Sequence, residues 1–484
     1  MKRVSIKKNF IMNAILALST IVFPLITFPY SARILTPIGT GKVSFATSLV
    51  MYFCMFAQLG IPTYGIRTCA KARDNKEELT RCAHELLFIN LIMSILSYGL
   101  LLAGIFFVPR LREEKTLIFV ISITIILSAI GMEWLYKALE QYTYITLRSI
   151  IFKVIAVVAM FVFVRAKDDY IIYGGITIFA ASASNILNLI NVRKFISLRP
   201  VGNYNILRHL KPVMIFFAMS CATTVYTNLD MVMLGFMKTD VDTGHYTAAV
   251  KVKTVLVACI TSLGEVLLPR VSYYLKNNME EDFLRVSRKA MNFVLVASIP
   301  LMIYFILFAN EAIMLLSGPA YRGAVWPMQL IMPTIVFIGV TNILGLEILV
   351  PHGRERAVLL SVSIGAAVDF VLNLVLIPGM GAAGAALATL VAEIAVFIVQ
   401  MIVLRACVAD VFSDVSYLKI LLSAVAAVIL CIWIRLIKLP SFACLAISAV
   451  LFFVTYFGVL YLTKEKLAKE LADGLRGKLG KKNV

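Results

Sequence analysis

The chain has 484 residues, 61% of them hydrophobic and 15% charged, and its mean hydropathy is +0.91. Soluble domains are about 45–50% apolar, so this composition excludes an ordinary soluble enzyme or binding module. A formal net charge of +19 would suit a nucleic-acid binder, but the cations are scattered over short connectors without a basic domain or interleaved aromatic platform, which removes nucleic acid as an expected partner.

A hydrocarbon core of about 30 Å is crossed by about 20 residues of helix. Fourteen stretches have that character: 10–31, 43–64, 83–108, 116–136, 150–164, 170–192, 212–235, 245–267, 291–309, 325–350, 358–378, 382–404, 418–437 and 441–462. These runs are continuously apolar with Gly and Pro scattered inside, whereas barrel strands would alternate over roughly 10-residue segments. The fold class is therefore an all-α membrane protein with 14 transmembrane helices. The first run follows Met1, Lys2, Arg3, Lys7 and Lys8 and outlasts the roughly 7–15-residue core of a signal peptide, so it should be the first helix of the bundle. The fifth is short and should begin earlier, in the 137–153 connector, where Tyr142, Tyr144, Arg148 and Lys153 would also suit an interfacial helix.

With a cytoplasmic N-terminus, 33 Lys and Arg fall on cytoplasmic segments and 11 on the opposite side, leaving Lys251 and Lys253 inside a span. The positive-inside rule then puts both termini in the cytoplasm. None of the eight cysteines pairs at metal-knuckle or redox spacing, and His84, His209, His245 and His352 stand singly near span ends, where solvation at the interface is the expected role. No P-loop, nucleotide fingerprint or zinc-protease signature is present, so no cofactor is expected.

Thr40-Gly41-Lys42-Val43-Ser44-Phe45-Ala46, between spans one and two, resembles Thr243-Gly244-His245-Tyr246-Thr247-Ala248-Ala249, between spans seven and eight. A weaker echo is Pro378-Gly379-Met380-Gly381-Ala382-Ala383-Gly384. Glycines here permit tight turns and close helix approach. Six helices separate the matching hairpins, so the repeats are parallel. That predicts two six-helix pseudo-symmetric lobes, 1–205 and 206–404, with 405–484 supplying two C-terminal helices and a basic amphipathic tail. In that tail Leu467, Leu471, Leu475 and Leu479 recur among lysines and arginines, as in a helix lying on anionic lipid.

Polar residues inside the spans mark where a wet cavity should lie. Span one carries Asn13, Thr20 and Thr27; span seven carries Thr223, Thr227 and Asp230; span eight carries Thr247, Lys251, Thr254, Thr261 and Glu265 at offsets that share one helical face. Span eleven adds Asp369 and Asn373, and span twelve Glu393. Lys251 is seven positions beyond Gly244, roughly 10 Å deep, where an unpaired charge costs at least about 2.5–3.5 kcal/mol. It needs a use or a partner, and Asp230, roughly 8 Å deep on the adjoining helix, is available. Arg33, Lys42, Arg67, Arg148, Lys153 and Arg270 near span ends could join Lys251 in lining a cationic vestibule for an anionic cargo.

Ala32-Arg33-Ile34-Leu35-Thr36-Pro37-Ile38-Gly39-Thr40-Gly41, Glu133 through Tyr142, Asn228-Leu229-Asp230 before Gly235, and Asp369 through Ala386 together resemble the polysaccharide-repeat-unit flippases of the multidrug/oligosaccharidyl-lipid/polysaccharide exporter superfamily. The resemblance covers essentially the whole chain. It implies a bacterial cytoplasmic-membrane transporter, not an enzyme. The cargo would be an oligosaccharide on polyprenyl pyrophosphate, turned from the inner to the outer leaflet for O-antigen, capsule or related polymers. It further implies contact with membrane lipids and other polysaccharide-assembly membrane proteins, and coupling to H+ or Na+ through carboxylates such as Asp230, Asp369, Glu265 or Glu393. A multidrug or organic-cation antiporter would share the architecture but favour acidic residues in its cavity. A peptidoglycan lipid-precursor flippase would share the cationic cavity, yet span one has no arginine before Arg33.

Overall fold

The computed structural model describes residues 6–405, 408–437 and 439–470, with the side chains of residues 6, 7, 10, 263–266, 268, 269, 408 and 409 outside the description. Among the described residues every regular element is helical. Eleven helices are long and apolar enough to cross a membrane, or up to twelve if Pro319–Ile331 and Thr334–Leu349, bent by 44°, form one span. The chain divides into two compact units, Met1–Thr247 and Ala248–Val484.

The first unit opens with α1 (Ile6–Gln58), whose 53 residues would extend about 80 Å if straight. It is interrupted at Thr36, where φ is 60° and ψ 177°. The cause is local: Pro37 brings no N–H and crowds the helical region for the residue before it. Thr40 Oγ1 donates to the Thr36 carbonyl at 3.2 Å, a side-chain contact just past the break. The helix ends at Leu59 and Gly60, both at positive φ, and α2 (Ile61–Ala72) restarts with a proline in its first turn. Asn75 Oδ1 accepts from the backbone of Glu77 and Glu78 and caps α3 (Lys76–Phe107).

Next come α4 (Pro109–Glu113), α5 (Lys115–Gly131), α6 (Glu133–Ala138), α7 (Tyr142–Phe163), α8 (Tyr170–Ile178), a π-helical turn at Phe179–Ala183, α9 (Asn185–Asn191), α10 (Leu207–Met237) and the start of α11 (Asp240–Lys276). Span five thus begins at Tyr142, and Tyr142, Tyr144, Arg148 and Lys153 belong to it and not to a separate interfacial helix. Where no water is available, side chains of one helix bind backbone carbonyls of another. Asn90 Nδ2 donates to Ala57 O at 3.0 Å, Ser97 Oγ to Phe53 O at 2.7 Å, and Asn188 Nδ2 to Gly131 O at 2.8 Å. Two apolar clusters lie between these contacts, one around Phe45, Leu117 and Ile121, the other around Ile61, Leu86 and Leu135.

The internal repeat has a structural meaning in this unit. A Cβ on Gly41 would lie 1.9 Å from Asp240 O, and one on Gly244 would lie 2.1 Å from Pro37 O. Asp240 and Pro37 each precede the other contact's glycine by four residues, so the two copies of the motif cross reciprocally, backbone on backbone. Phe45 likewise fills the place of a side chain at Gly235, where an added Cβ would be 2.0 Å from its ring.

In the second unit α11 continues to Lys276 and is followed by α12 (Glu280–Leu307), α13 (Ala309–Leu316), α14 (Val325–Ile331), α15 (Thr334–Asn342), a π-helical turn at Ile343–Leu349, α16 (Glu355–Met380), α17 (Ala382–Val403), α18 (Val408–Phe412), α19 (Tyr417–Cys431) and α20 (Ser441–Leu462). The Pro378–Gly384 echo is the turn between α16 and α17: Gly381 has φ 55° and Gly384 faces the Leu376 carbonyl. Small residues Ala385, Ala388 and Ala392 are buried on the α17 side. Tyr456 Oη donates to Val296 O at 3.0 Å and Tyr304 Oη to Leu445 O at 2.9 Å, fixing α20 to α12. Beyond α20, Glu465 accepts from Asn292 Nδ2 at 2.8 Å and Lys289 pairs with Glu470 at 2.9 Å. Leu471, Leu475 and Leu479, the rest of the expected tail stripe, lie outside the described residues.

Because no side chain fits at the crossing, Gly41→Ala and Gly244→Ala should each lower stability by about 1–3 kcal/mol. In detergent this should appear as a fall of several degrees in Tm. Gly99→Ala and Gly379→Ala, where nothing lies within 4 Å of the added carbon, should leave it unchanged; equal behaviour of all four would refute the close crossing.

Candidate functional site

In the first unit the candidate cations are mostly engaged. Lys42 Nζ pairs with Glu114 at 2.5 Å and stands 4.8 Å from the centre of the Tyr170 ring. Nearby, Arg110 pairs with Asp240, donates from Nε to Gly235 O at 3.1 Å and lies over the Phe45 ring at 5.4 Å. These contacts clamp the end of the unit where the two glycines cross. Arg33 is exposed and donates to Pro29 O at 2.7 Å.

Arg148, 5% exposed, donates to Ser184 Oγ at 2.7 Å and Asn185 Oδ1 at 3.2 Å and faces Glu133 at 3.6 Å. Lys153 Nζ donates to Ser19 Oγ at 2.7 Å, joining α7 to α1. Arg67 is exposed on α2 and has no ion-pair partner among the described residues. Lys42 on α1 and Arg148 and Lys153 on α7 therefore occupy three separate contact sets. On α10, Asp230 is buried and accepts a hydrogen bond from Tyr246 Oη, while Thr227 bonds back to Thr223 O. Thr247 is buried and bonds Thr243 O at 2.7 Å.

In the second unit Lys251 is half-buried on α11 and forms no salt bridge among the described residues. Thr254 is exposed and bonds back to Val250 O. Arg270 is exposed and stacks over Tyr274, donating from Nε to its hydroxyl at 2.8 Å. The side chain of Glu265 lies outside the described residues. Asp369 and Asn373 on α16 and Thr389 and Glu393 on α17 are all buried. These two helices form a close-packed pair, and further along it Gln400 Nε2 donates to Ser361 Oγ at 3.2 Å. The pair thus carries a buried polar stripe with two carboxylates.

Four buried acids, Glu85, Glu114, Glu347 and Glu465, were absent from the sequence-based candidates, and two of them stand apart from the ion pairs and tail contacts already described. Glu85 on α3 is fully buried; His209 Nε2 donates to it at 2.7 Å, Arg208 Nη2 at 2.6 Å and the Asn205 amide at 2.6 Å. Tyr64 Oη then bonds His209 Nδ1 at 2.8 Å. His84 is also buried, bonded to Ser197 O and Tyr204 Oη. His84 and His209 are therefore structural groups in hydrogen-bond networks, which corrects the expectation of interfacial solvation. The second acid, Glu347, sits fully buried on the π-helical turn, and neither carboxylate oxygen has a hydrogen-bond partner among the described residues. Its sequence signal was a single acid near the end of span ten, and π-turns recur at functional sites. No cluster of three or more potential metal ligands occurs among the described residues.

The polysaccharide biosynthesis protein family matches residues 6–275, more than half of the chain. A candidate O-antigen transporter of Escherichia coli (strain K12) is 24% identical over 356 residues, which is 73% of this chain and 86% of that protein. A protein of Shigella dysenteriae with the same description is 25% identical over 271 residues, 55% of this chain and 67% of that one. In fold the chain is similar to the lipid II flippase MurJ in an inward closed conformation, with a TM-score of 0.66, 16% identity and coverage of 92% of this chain and 99% of that one. It is also similar to an inward-facing multidrug resistance MATE family transporter, with a TM-score of 0.63, 12% identity and coverage of 84% and 99%.

Removing a partner from a buried ion pair costs about 3–5 kcal/mol, reduced here because Arg208 is 43% exposed and screened by water. Glu85→Ala should still lower Tm in detergent by several degrees, whereas Arg285→Ala, which removes an exposed i,i+3 pair, should not; matching Tm values would deny the Glu85 network its structural role.

Proposed function

The chain belongs to the polysaccharide biosynthesis protein family, and from that premise we propose that it translocates polyprenyl-pyrophosphate-linked oligosaccharide repeat units from the inner to the outer leaflet of the bacterial cytoplasmic membrane. The multi-pass helical fold and the transporter descriptions of its relatives support a carrier and not an enzyme. The single observation that carries the cargo assignment is Lys251: a half-buried cation on α11, inside the stretch that the sequence marks as span eight, with no carboxylate paired to it among the described residues. Such a charge is retained where it meets an anion from outside the chain, and a diphosphate is well matched to an ammonium. An organic-cation carrier would place a carboxylate, and not an ammonium, at the Lys251 position of that stripe.

In this reading the spans number fourteen. Breaking α1 at Thr36 gives two spans, each long enough to cross, and α11 with 37 residues adds another to those counted above. The reciprocal crossing of Gly41 and Gly244 supports a repeat-based organisation into lobes 1–205 and 206–404, followed by two further helices. Positive-inside bias places both termini in the cytoplasm. Transport proceeds by alternating access, the lobes exposing the cargo first to one side and then to the other. Sugar hydroxyls meet the Thr-lined stripes of α10 and α11, and the lipid tail stays in the bilayer. A proton or sodium ion bound at Asp230, at the Asp369, Asn373 and Glu393 stripe, at Glu265 or at Glu347 supplies the driving force.

The test is flipping of labelled polyprenyl-pyrophosphate oligosaccharide in proteoliposomes. One charge-assisted hydrogen bond is worth about 1.5–3 kcal/mol, so Lys251→Ala should slow turnover about tenfold or more with normal membrane insertion. Lys253→Ala, which points about 200° away on the same helix, should be nearly neutral. Undiminished transport by the Lys251 variant would reject the clamp.

A further inference from the structure

Within the first unit α10 is tied differently at its two ends. At the end near Met237 only Lys238 and Thr239 separate it from α11, and the contacts at Gly41, Gly235 and Gly244 leave no room for a side chain. At the Leu207 end, residues 195–206 run up to it without a regular helix. A connector of that length can span roughly 40 Å when extended. The helix is therefore pivoted at one end and has slack at the other.

In this structure the connector is laid along the start of α3. The Ser197 amide donates to Thr80 Oγ1 at 3.3 Å, Arg81 Nε to Gly202 O at 3.2 Å and His84 Nε2 to Ser197 O at 2.9 Å, while the Tyr204 hydroxyl meets His84 Nδ1 at 3.0 Å. Glu85 completes the tie. Its Oε1 accepts from the Asn205 amide of the connector, and its Oε2 from Arg208 and His209 in the first turn of α10. The α10 backbone then passes Gly60, where an added Cβ would lie 2.4 Å from the Phe217 nitrogen. Most of these ties can be taken over by water: Arg208 is 43% exposed, much of the connector is exposed, and exchanging a neutral protein partner for water costs about 0.5–1.5 kcal/mol. Parting the other end would strain a link of Lys238 and Thr239 alone, whereas parting this end strains nothing.

We propose that the Glu85 cluster and the 195–206 connector form a latch. Closed, as here, it holds the Leu207 end of α10 against α2 and α3; released, it lets α10 swing about its Met237 end and opens the first unit on the cytoplasmic side. Arg208 and His209 leave with α10, and water entering with the opening then meets the Glu85 carboxylate. The side that opens and the cargo admitted rest on the flippase reading; the latch itself rests on these contacts and on the unequal links of α10.

Spin labels at Lys76→Cys on α3 and Lys211→Cys on α10, both exposed positions, report the latch through pulsed dipolar distances in full-length protein in nanodiscs, with Cys221, Cys259 and Cys407 changed to serine. Glu85→Gln and Arg208→Gln each remove a charge from the cluster and keep a hydrogen-bonding side chain. Each should raise the ratio of a longer to the short distance about three- to tenfold over the doubly labelled parent. The short distance alone, in the parent and in both variants, overturns the latch. A second measurement leaves the cluster intact. Phe56 on α1 and Phe217 on α10 face each other with ring centres 5.6 Å apart, so joining Phe56→Cys to Phe217→Cys with a short bis-thiosulfonate crosslinker holds α10 in place. Flipping of labelled polyprenyl-pyrophosphate oligosaccharide in proteoliposomes should fall to background and return on reduction. Flipping that continues through the crosslink overturns the latch. A wild type that flips no glycolipid while the label distances respond as expected refutes the flippase reading and leaves the latch standing.

Discussion

The bilayer interior supplies no water to a backbone carbonyl or a side-chain charge, so each must find its partner within the chain. Most of this structure follows from that scarcity. Beside the break before Pro37, Thr40 turns its hydroxyl to the Thr36 carbonyl. Where helices meet, Asn90, Ser97, Asn188, Tyr304 and Tyr456 reach across to carbonyls of their neighbours. Arg148 turns its guanidinium to Ser184, Asn185 and Glu133, and Glu85 gathers three donors around one carboxylate. Against that background Lys251 and Glu347 stand out, since neither draws an ion pair from the described residues.

The same scarcity removes the hydrophobic effect as glue between helices, because lipid is as apolar as leucine. Close approach must come from small residues. Gly41 against Asp240, Gly244 against Pro37, Gly235 beneath Phe45 and Gly384 against Leu376 show this at backbone contact distance. Polar clamps then sit beside the close contacts, as Arg110 does between Gly235 and Asp240. In the first unit, glycine and ion pair together fasten one end of α1, α10 and α11, and the Glu85, His209 and Tyr64 chain fastens α2 and α3 to the opposite end of α10.

The residues that looked most like substrate ligands divide once their contacts are known. Lys42, Arg148 and Lys153 hold helices together, whereas Lys251 and Arg67 keep their charges unpaired among the described residues. Charge alone does not mark a binding residue; an unmet hydrogen-bonding capacity does.

Hydropathy is a sum over neighbouring residues, which is why the helical membrane class, the positions of most spans and the early start of span five could be read from the chain. The glycine motif was legible for a similar reason: a tight crossing demands the same short string wherever it occurs. Pairing is different in kind. Lys42 with Glu114, Arg110 with Asp240 and Glu85 with His209 join residues far apart in the chain, the latter two 130 and 124 residues apart, and nothing local to either partner announces the other. The buried roles of His84 and His209 and the isolation of Glu347 depend on which helices pack together, so only the tertiary structure decided them.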